Sequence, residues 1–246
     1  MLRFMGAAAL AATLSFGPVA GVGNSSTPLQ PIRAIATVQA RPALAPAPEP
    51  QFGLTGVHET GLAAAGQSAT DFRAWLRRAP DNVARLTSFQ DYLNAQGVGA
   101  VIPLWQLTRT SSSWSECGAE PFEAPPADKW QHIVETLKFV RDDVIPRVGQ
   151  VEALSAFRND KLNACSNGAE HSAHREFFAI DMTPVTAAVD RTAMIRSVCA
   201  AHAHDGRAYD TGLGFYTGRR FHVDSSSFRK WGADGRGATS PCVNEA

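Results

Sequence analysis

The sequence predicts an α+β fold, with a small antiparallel sheet, helices packed on one side of it and a helical extension before it. Apolar residues recur at helical spacing in four separate segments, whereas the polar motifs of the last third lie around short strand-like segments. With 246 residues, 44% of them hydrophobic, the chain is long enough for one substantial core.

The N-terminal residues predict export. Residues 1–20 place one early cation before an Ala/Leu/Phe run that ends in small residues, the pattern of a secretion signal, and the run is too short for a membrane-spanning helix. An uncleaved N-terminal anchor is the less favoured alternative, since no stop-transfer pattern follows. Residues 21–52 form a linker rich in Pro and Ala. We expect a protein of the periplasm or cell envelope, free of the membrane after signal removal.

The folded part is expected to begin near residue 53, with a helical extension at 53–125. One helix is predicted from Asp71, and a second from Pro80 to a stop at Gly97. Residues 98–107 predict a strand, in which Pro103 favours an edge position or a bend.

The second predicted domain covers residues 126–246. A helix capped by Asp128 is expected to end at Pro146. Another helix is predicted from Asp190 to Ala201, with apolar residues along one side. These apolar stripes are interpreted as core.

Charge and cysteines narrow the classes of partner. The 23 basic and 23 acidic side chains balance, so nothing favours nucleic acid or an anionic membrane surface as a partner. We expect a monomer.

Four cysteines in an exported chain suggest two disulfides, for which three pairings exist. Proximity to the motifs favours Cys117 with Cys165 and Cys199 with Cys242. No Cys-x-x-Cys pair occurs, which argues against a cysteine zinc site.

Three residues form a candidate metal site. His174 and Asp181 lie seven positions apart, and His222 follows within Phe-His-Val-Asp. Imidazole and carboxylate are good zinc ligands, and a catalytic zinc has three protein ligands with one open position. Taken singly, His174 is better explained as a core histidine and Asp181 as a turn or cap residue.

The motifs around these residues occur in a recognisable order. Ser-x-Phe-Arg is followed by Asn, Gly-Ala and Ser-x-His, and later by Gly-x-Gly-x-Tyr and Phe-His-x-Asp. Over about the last hundred residues, and not over 53–125, the chain resembles the zinc D-alanyl-D-alanine carboxypeptidases and related peptidoglycan-cleaving LAS metallopeptidases, which share the hedgehog/DD-peptidase-like fold. The matching positions are Ser155, Arg158, Asn163, Gly168, Ala169, Ser172, His174, Ala179, Asp181, Gly212, Gly214, Tyr216, Phe221, His222 and Asp224.

The resemblance implies a cofactor, a substrate and an activity. Zn²⁺ would be held on the sheet by the three candidate ligands. Arg158 would hold the terminal carboxylate of the substrate during catalysis, and Ser172 and Tyr216 would help to bind it. The implied function is that of an exported zinc peptidase that hydrolyses D-amino-acid-containing bonds in peptidoglycan stem peptides or cross-links, as a DD-carboxypeptidase or endopeptidase.

The chain departs from the family at two places. Phe177 replaces a glycine between the first two ligands. The family has a carboxylate or histidine as general base shortly before the last zinc histidine, but the residues here are Arg219 and Arg220. Asp224 is then the nearest candidate base, with orientation of His222 or the end of a strand as an equal alternative.

These departures keep two other functions open. Glu176 is a weaker candidate base, expected to face solvent. A protein that retained the metal site without a base would be a non-catalytic peptidoglycan-binding or scaffolding protein. A third option is a disulfide-stabilised structural protein without metal.

The remaining histidines are expected to be structural or exposed. His202 and His204 fall at a predicted helix end, where histidine complements the helix dipole. His171 flanks the ligand motif as an outer or exposed residue. His58 and His132 are not assigned a function.

Overall fold

The computed structural model describes residues 52–54 and 59–244. The predicted signal at 1–20, the linker before Phe52 and His58 lie outside the described residues. Within the described part, no helix is long and apolar enough to cross a membrane.

The first two helices are confirmed. Helix α1 covers Ala69–Arg78 and begins at a capping box, in which the Ser68 side chain accepts the Asp71 backbone N–H and the Asp71 carboxylate accepts the Ser68 N–H. Helix α2 covers Asp81–Ala95 and follows directly after Pro80. Both helices bury their apolar stripes, which for α1 consist of Phe72, Trp75 and Leu76.

The strand predicted at 98–107 is wrong. This segment consists of turns followed by a short helix, α3, at Leu104–Leu107. Pro103 directly precedes α3 and has no N–H to donate to a sheet. All four residues of α3 are buried. A short apolar run that is buried on every side carries no period that separates strand from helix.

The helix predicted from Asp128 to Pro146 is longer and less regular. A 3₁₀ turn at Ala127–His132 leads into α4 at Ile133–Phe139, then a π-helical turn at Val140–Val144, and α5 at Ile145–Val148. Pro146 does not end the helical segment, because it lies in the first turn of α5, where its missing N–H is tolerated.

A five-stranded sheet follows, in the spatial order β1-β2-β4-β3-β5. The neighbours β1 to β2, β2 to β4 and β4 to β3 are antiparallel, whereas β5 is parallel to β3. The α+β class is therefore confirmed, but the sheet is mixed. The chain reverses after β4, passes the end of β3 and pairs with its free edge, which makes β5 parallel to β3. The strands are β1 Val151–Ser155, β2 Ala179–Pro184, β3 Gly212–Phe215, β4 Phe221–Asp224 and β5 Arg229–Trp231.

Two further helices complete the fold. Helix α6 covers Asp160–Cys165 and is capped by the Asn159 side chain. Helix α7 covers Arg191–Asp205, is capped by the Asp190 side chain, and runs four residues beyond the predicted end. Helix α4 packs against β2 and β4, and α7 packs against α5 and the π turn.

The segment predicted as an extension shares its core with the sheet. Buried apolar residues from Phe52 to Cys242 form one hydrophobic cluster. Beneath it lies a buried ion pair, in which Arg109 Nη1 is 2.7 Å from Glu152 Oε1 on β1. Arg109 also donates to the carbonyls of Gln67 and Ala153, and Glu152 accepts from Thr60. This network fixes residues 60–67 against the edge of the sheet.

Both favoured disulfides are present. Cys117–Cys165 joins the loop after α3 to α6, and Cys199–Cys242 joins α7 to the C-terminal residues. Two disulfides are consistent with an oxidising extracellular compartment. Export itself stays a prediction.

Candidate metal centre

The three predicted ligands converge on one point. Asp181 on β2 and His222 on β4 are register partners, so their side chains leave the same face of the sheet. His174 lies in the loop before β2, and its Nε2 is 3.2 Å from Asp181 Oδ1, while His222 Nδ1 is 3.0 Å from the same oxygen. One ligand atom from each residue lies within 4.8 Å of the other two, and all three residues are buried.

The outer nitrogen of each histidine is held by an acceptor. His174 Nδ1 is 2.6 Å from the Ala156 carbonyl oxygen, so Nδ1 carries the hydrogen and Nε2 presents its lone pair. His222 Nε2 is 2.8 Å from Asp224 Oδ2, which leaves Nδ1 on the side of Asp181. Metal-binding histidines show this arrangement, in which the second nitrogen donates to a carbonyl or carboxylate.

The electrostatics suit a cation-binding site. Burial, assisted by the charge of Arg158, lowers the pKa of His174 to about 4, which keeps its ring neutral at pH 7. Burial opposes ionisation of Asp181, but the charge of Arg220 and the hydrogen bond from His222 hold its pKa well below the usual value. Burial also acts against protonation of His222, yet hydrogen bonds to Asp181 and Asp224 raise its pKa. Two imidazole nitrogens and a carboxylate oxygen form a donor set that fits zinc.

The geometry favours the orienting role of Asp224 over that of a general base. Asp224 is fully buried, and its Oδ2 lies at His222 Nε2, on the far side of the ring from the ligand atom. Arg229 donates to both carboxylate oxygens, and Ser226 donates to Oδ1 through its backbone and its hydroxyl. Each oxygen is therefore already engaged away from the metal position, which favours the orienting alternative, and a catalytic role of Asp224 stays a prediction.

Two guanidinium groups flank Asp181. Arg220 Nη2 lies 2.7 Å from Asp181 Oδ2, and Arg158 Nη2 lies 3.5 Å from the same oxygen. Arg219 instead points away and donates to backbone carbonyls at the end of β2 and in the segment after it. Arg158 was predicted from the sequence motifs. Arg220 was noted only as a departure from the family pattern, and its contact with Asp181 was not predicted.

An aromatic wall adjoins the ligands. The Tyr216 hydroxyl donates to Asp181 Oδ1 over 3.1 Å, and the Trp231 ring packs against both Tyr216 and His222. A Cβ added at Gly214 would lie 1.9 Å from Trp231 Cζ2, so only glycine fits beneath this ring. Trp231 was missed by the sequence analysis, although a glycine inside a strand signals the close approach of another group.

Other predicted residues lie nearby or elsewhere. The Ser172 hydroxyl accepts the His174 backbone N–H over 3.4 Å, and among the described residues it has no hydrogen bond to a ligand side chain, so a role in substrate binding stays a prediction. Glu176 is exposed and pairs with Lys129, away from the ligand atoms. His171 is exposed.

The backbone at Phe177 is unusual for a residue that carries a side chain. Phe177 adopts φ 59, in the left-handed region that glycine occupies without strain. Its ring is fully buried and packs against Phe89 and Phe157.

The remaining histidines behave largely as expected. His202 and His204 lie in the last turn of α7, and His202 is stacked on Phe228 with its Nε2 near the Thr211 carbonyl. His132 is stacked on Phe178.

A second group with metal-ligating atoms lies on the helices. It consists of Asp143, His204 and Asp205. Its one buried member, Asp143, is already paired with Arg147, and the His204 side chain is 66% exposed. The first cluster is therefore the better candidate centre.

No family model matches the chain, and no curated protein or solved structure matches it either.

Proposed function

We propose that the protein is an exported zinc-dependent peptidase that hydrolyses D-amino-acid-containing peptide bonds of peptidoglycan stem peptides or cross-links. The observation that carries the zinc part is the convergence of His174, Asp181 and His222, with the outer nitrogen of each histidine held by an acceptor. The peptidoglycan part is supported by the ordered motifs of the last hundred residues and by Arg158 beside the ligands.

Each residue of the site has a task in such a reaction. A bound zinc ion supplies Lewis-acid chemistry, which polarises the scissile carbonyl and makes water nucleophilic near neutral pH. The Ala156 carbonyl and Asp224 orient the two histidines, so the ligand set is preorganised. Arg158, whose side chain is only 10% exposed, presents a planar guanidinium suited to a substrate carboxylate.

The second candidate function is a peptidoglycan-binding protein that holds zinc without catalysis. Among the described residues, the side chains in hydrogen-bond contact with Asp181 are His174, His222, Tyr216, Arg158 and Arg220. This set contains no further carboxylate that could accept a proton. An arginine stays protonated at physiological pH and cannot take that role.

Digestion of purified peptidoglycan tests the proposal. Zinc-loaded protein is expected to change the muropeptide profile in liquid chromatography, and His174→Ala is expected to abolish both the change and zinc binding. His204→Ala is the matched control, since His204 is an exposed histidine outside the centre and should leave cleavage intact. An unchanged profile with zinc-replete wild type would refute the peptidase.

Two further measurements separate the alternatives. Co-sedimentation with peptidoglycan sacculi in the absence of cleavage would favour the binding protein. Purified wild type that holds no zinc after dialysis against the metal would leave only a disulfide-stabilised structural protein.

A further inference from the structure

The disulfide Cys199–Cys242 lies at a cavity that none of the three candidate ligands lines. The cavity has a volume of about 230 Å³, and its walls include both cysteines and two cations, Arg229 and Lys230. The cysteines themselves are buried, with exposed fractions of 4% and 6%. Ala203, which also lines the cavity, is exposed, so the cavity is open to solvent and gives a route to the disulfide.

This disulfide fastens the C-terminal residues against the edge strand of the sheet. Strand β5 is the last in the sheet order, has three residues and pairs with β3. Lys230 in β5 donates to the Cys242 carbonyl oxygen over 3.1 Å. A Cβ added at Gly232 would collide with the Thr239 carbonyl oxygen, so the residues around Thr239 pack directly on the end of β5. Chain ends are generally poorly ordered unless they are tied down, and here the tie is the bond from Cys242 to Cys199 in α7.

Strand β5 in turn carries two of the side chains that surround His222. Arg229 donates to both carboxylate oxygens of Asp224, over 2.9 and 2.8 Å, and Asp224 accepts from His222 Nε2. The Trp231 ring lies 5.3 Å from the His222 ring, centre to centre. A displacement of β5 would therefore free the carboxylate that orients His222 and remove the ring that packs on it. Metal affinity depends on such outer partners of a ligand histidine.

We propose that closure of the Cys199–Cys242 disulfide raises the metal affinity of the candidate centre. With the disulfide closed, the C-terminal residues hold β5 in place, and His222 is oriented for a metal ion. With the disulfide open, β5 is held chiefly by its pairing with β3, and the orientation of His222 is lost. The chain is then expected to bind zinc weakly in a reducing compartment and tightly after export to an oxidising one. This inference rests on the zinc centre of the proposed function and adds its regulation.

Closure is a thiol–disulfide exchange with a disulfide-bearing oxidant. The thiolate of one cysteine attacks a sulfur of the oxidant, forms a mixed disulfide and releases one oxidant thiolate. The thiolate of the second cysteine then attacks the protein sulfur of that mixed disulfide and releases the second oxidant thiolate. Two electrons and the two thiol protons pass to the oxidant, which leaves as a dithiol. Arg229 and Lys230 place positive charge in the cavity, which favours the thiolate form that starts the exchange.

The zinc affinity of a serine variant tests the inference without any reductant. Zinc is titrated in competition with a chromophoric chelator. Cys199→Ser/Cys242→Ser, called the serine pair below, is expected to bind zinc about tenfold more weakly than wild type. This is the lower end of the usual effect of an outer partner, about 10- to 100-fold, because Asp224 itself remains. A serine pair that binds zinc as tightly as wild type would overturn the inference.

The other disulfide provides the matched control. The two disulfides span 48 and 43 positions, so their loss removes cross-links of similar length. The loop that Cys117 fastens reaches the centre through Ser112, whose hydroxyl accepts from Arg220 Nη1 over 2.9 Å, whereas the outer acceptors of both ligand histidines lie elsewhere. Cys117→Ser/Cys165→Ser should therefore bind zinc within about twofold of wild type. An equal loss of affinity in both variants would indicate general destabilisation and contradict the inference.

A double-mutant cycle separates positioning from general stability. The serine pair is proposed to act on His222 largely through Asp224, so in the Asp224→Asn protein it should weaken zinc binding by less than about threefold. A further loss as large as in wild type would show independent action and overturn the inference. In the structure the Arg229 backbone N–H donates to the Thr211 carbonyl oxygen over 3.2 Å. Hydrogen exchange of this N–H in metal-free protein should be faster in the serine pair, and equal exchange would contradict the release of β5.

Reduction of folded wild type tests the exchange itself. Dithiothreitol is the dithiol probe, and the thiols that it releases are trapped with iodoacetamide and located by peptide mass spectrometry. Labelling of Cys199 and Cys242 is expected while the far-ultraviolet circular dichroism stays unchanged. Labelling of this pair only after unfolding in urea would overturn the exchange.

The outcomes separate this inference from the proposed function. Wild type that binds no zinc would refute both. Zinc binding that is equal in wild type and in the serine pair would refute the inference alone. Zinc binding that responds to the disulfide without any peptidoglycan cleavage would support the inference and refute the peptidase.

Discussion

Replacing Asp224 by asparagine distinguishes an orienting carboxylate from a general base. In the structure Asp224 Oδ2 accepts from His222 Nε2 over 2.8 Å, a charge-assisted hydrogen bond between buried groups. Loss of such an outer partner typically lowers metal affinity by about 10- to 100-fold, which corresponds to about 1.4–2.7 kcal/mol. The substitution also removes the charge that faces Arg229, so the free energy of unfolding should fall by about 1–3 kcal/mol.

Zinc affinity is measured by competition with a chromophoric chelator, and stability by urea unfolding of the metal-free protein. Asp142→Asn is the control, because Asp142 is an exposed carboxylate paired with Arg141 on a helix surface. It should change neither the zinc affinity nor, beyond a few tenths of a kcal/mol, the stability. If Asp224→Asn binds zinc like wild type but no longer cleaves peptidoglycan, the orienting role is refuted and proton transfer by Asp224 becomes the better explanation.

Three further predictions concern stability. Arg109→Met leaves the Glu152 carboxylate buried without its cation, and the free energy of unfolding in urea should fall by about 3–5 kcal/mol. The double variant Arg109→Met/Glu152→Leu should recover most of this loss. An unchanged unfolding midpoint in the single variant would contradict the buried ion pair. Replacing Cys117 and Cys165 by serine removes a cross-link over 48 positions and should cost roughly 4 kcal/mol, so wild type and variant should unfold alike only in reductant. Burial raises the pKa of Glu123, so the ionised carboxylate destabilises the fold increasingly as pH rises through that pKa. The Glu123→Gln protein should be more stable than wild type at pH 7 by about 0.5 kcal/mol or less. Thermal melts of the two proteins should show no difference below about pH 4, where glutamate is protonated.

Local patterns were sufficient where one face of an element is buried. The stripe of Phe72, Trp75 and Leu76 and the apolar residues after Asp190 each correspond to a helix in the structure. The same reasoning failed at 98–107, since its last four residues, 104–107, are all buried and have no exposed face to reveal their period. It also failed at Pro146, because the effect of a proline depends on whether it falls in the first turn of a helix.

The candidate ligands could be predicted because their motifs are local, whereas their surroundings could not. Arg220 reaches Asp181 only because β2 and β4 pair across 41 residues of chain, and the loop with Ser112 arrives from more than a hundred residues away. Trp231 reaches His222 through the parallel pairing of β5 with β3. Such contacts depend on strand order, which local sequence patterns do not reveal.

Phe177 shows how a residue with a bulky side chain can occupy a left-handed backbone position. At this position the chain reverses between His174 and Asp181, and the reversal requires a left-handed residue. A side chain in that region costs roughly 1–2 kcal/mol relative to glycine. Complete burial of a phenylalanine ring stabilises by about 1.5–3 kcal/mol, and the Phe177 ring is fully buried between Phe89 and Phe157. The strain is thus offset within the same residue, and the aromatic packing holds the loop in the conformation that brings both ligands to one point.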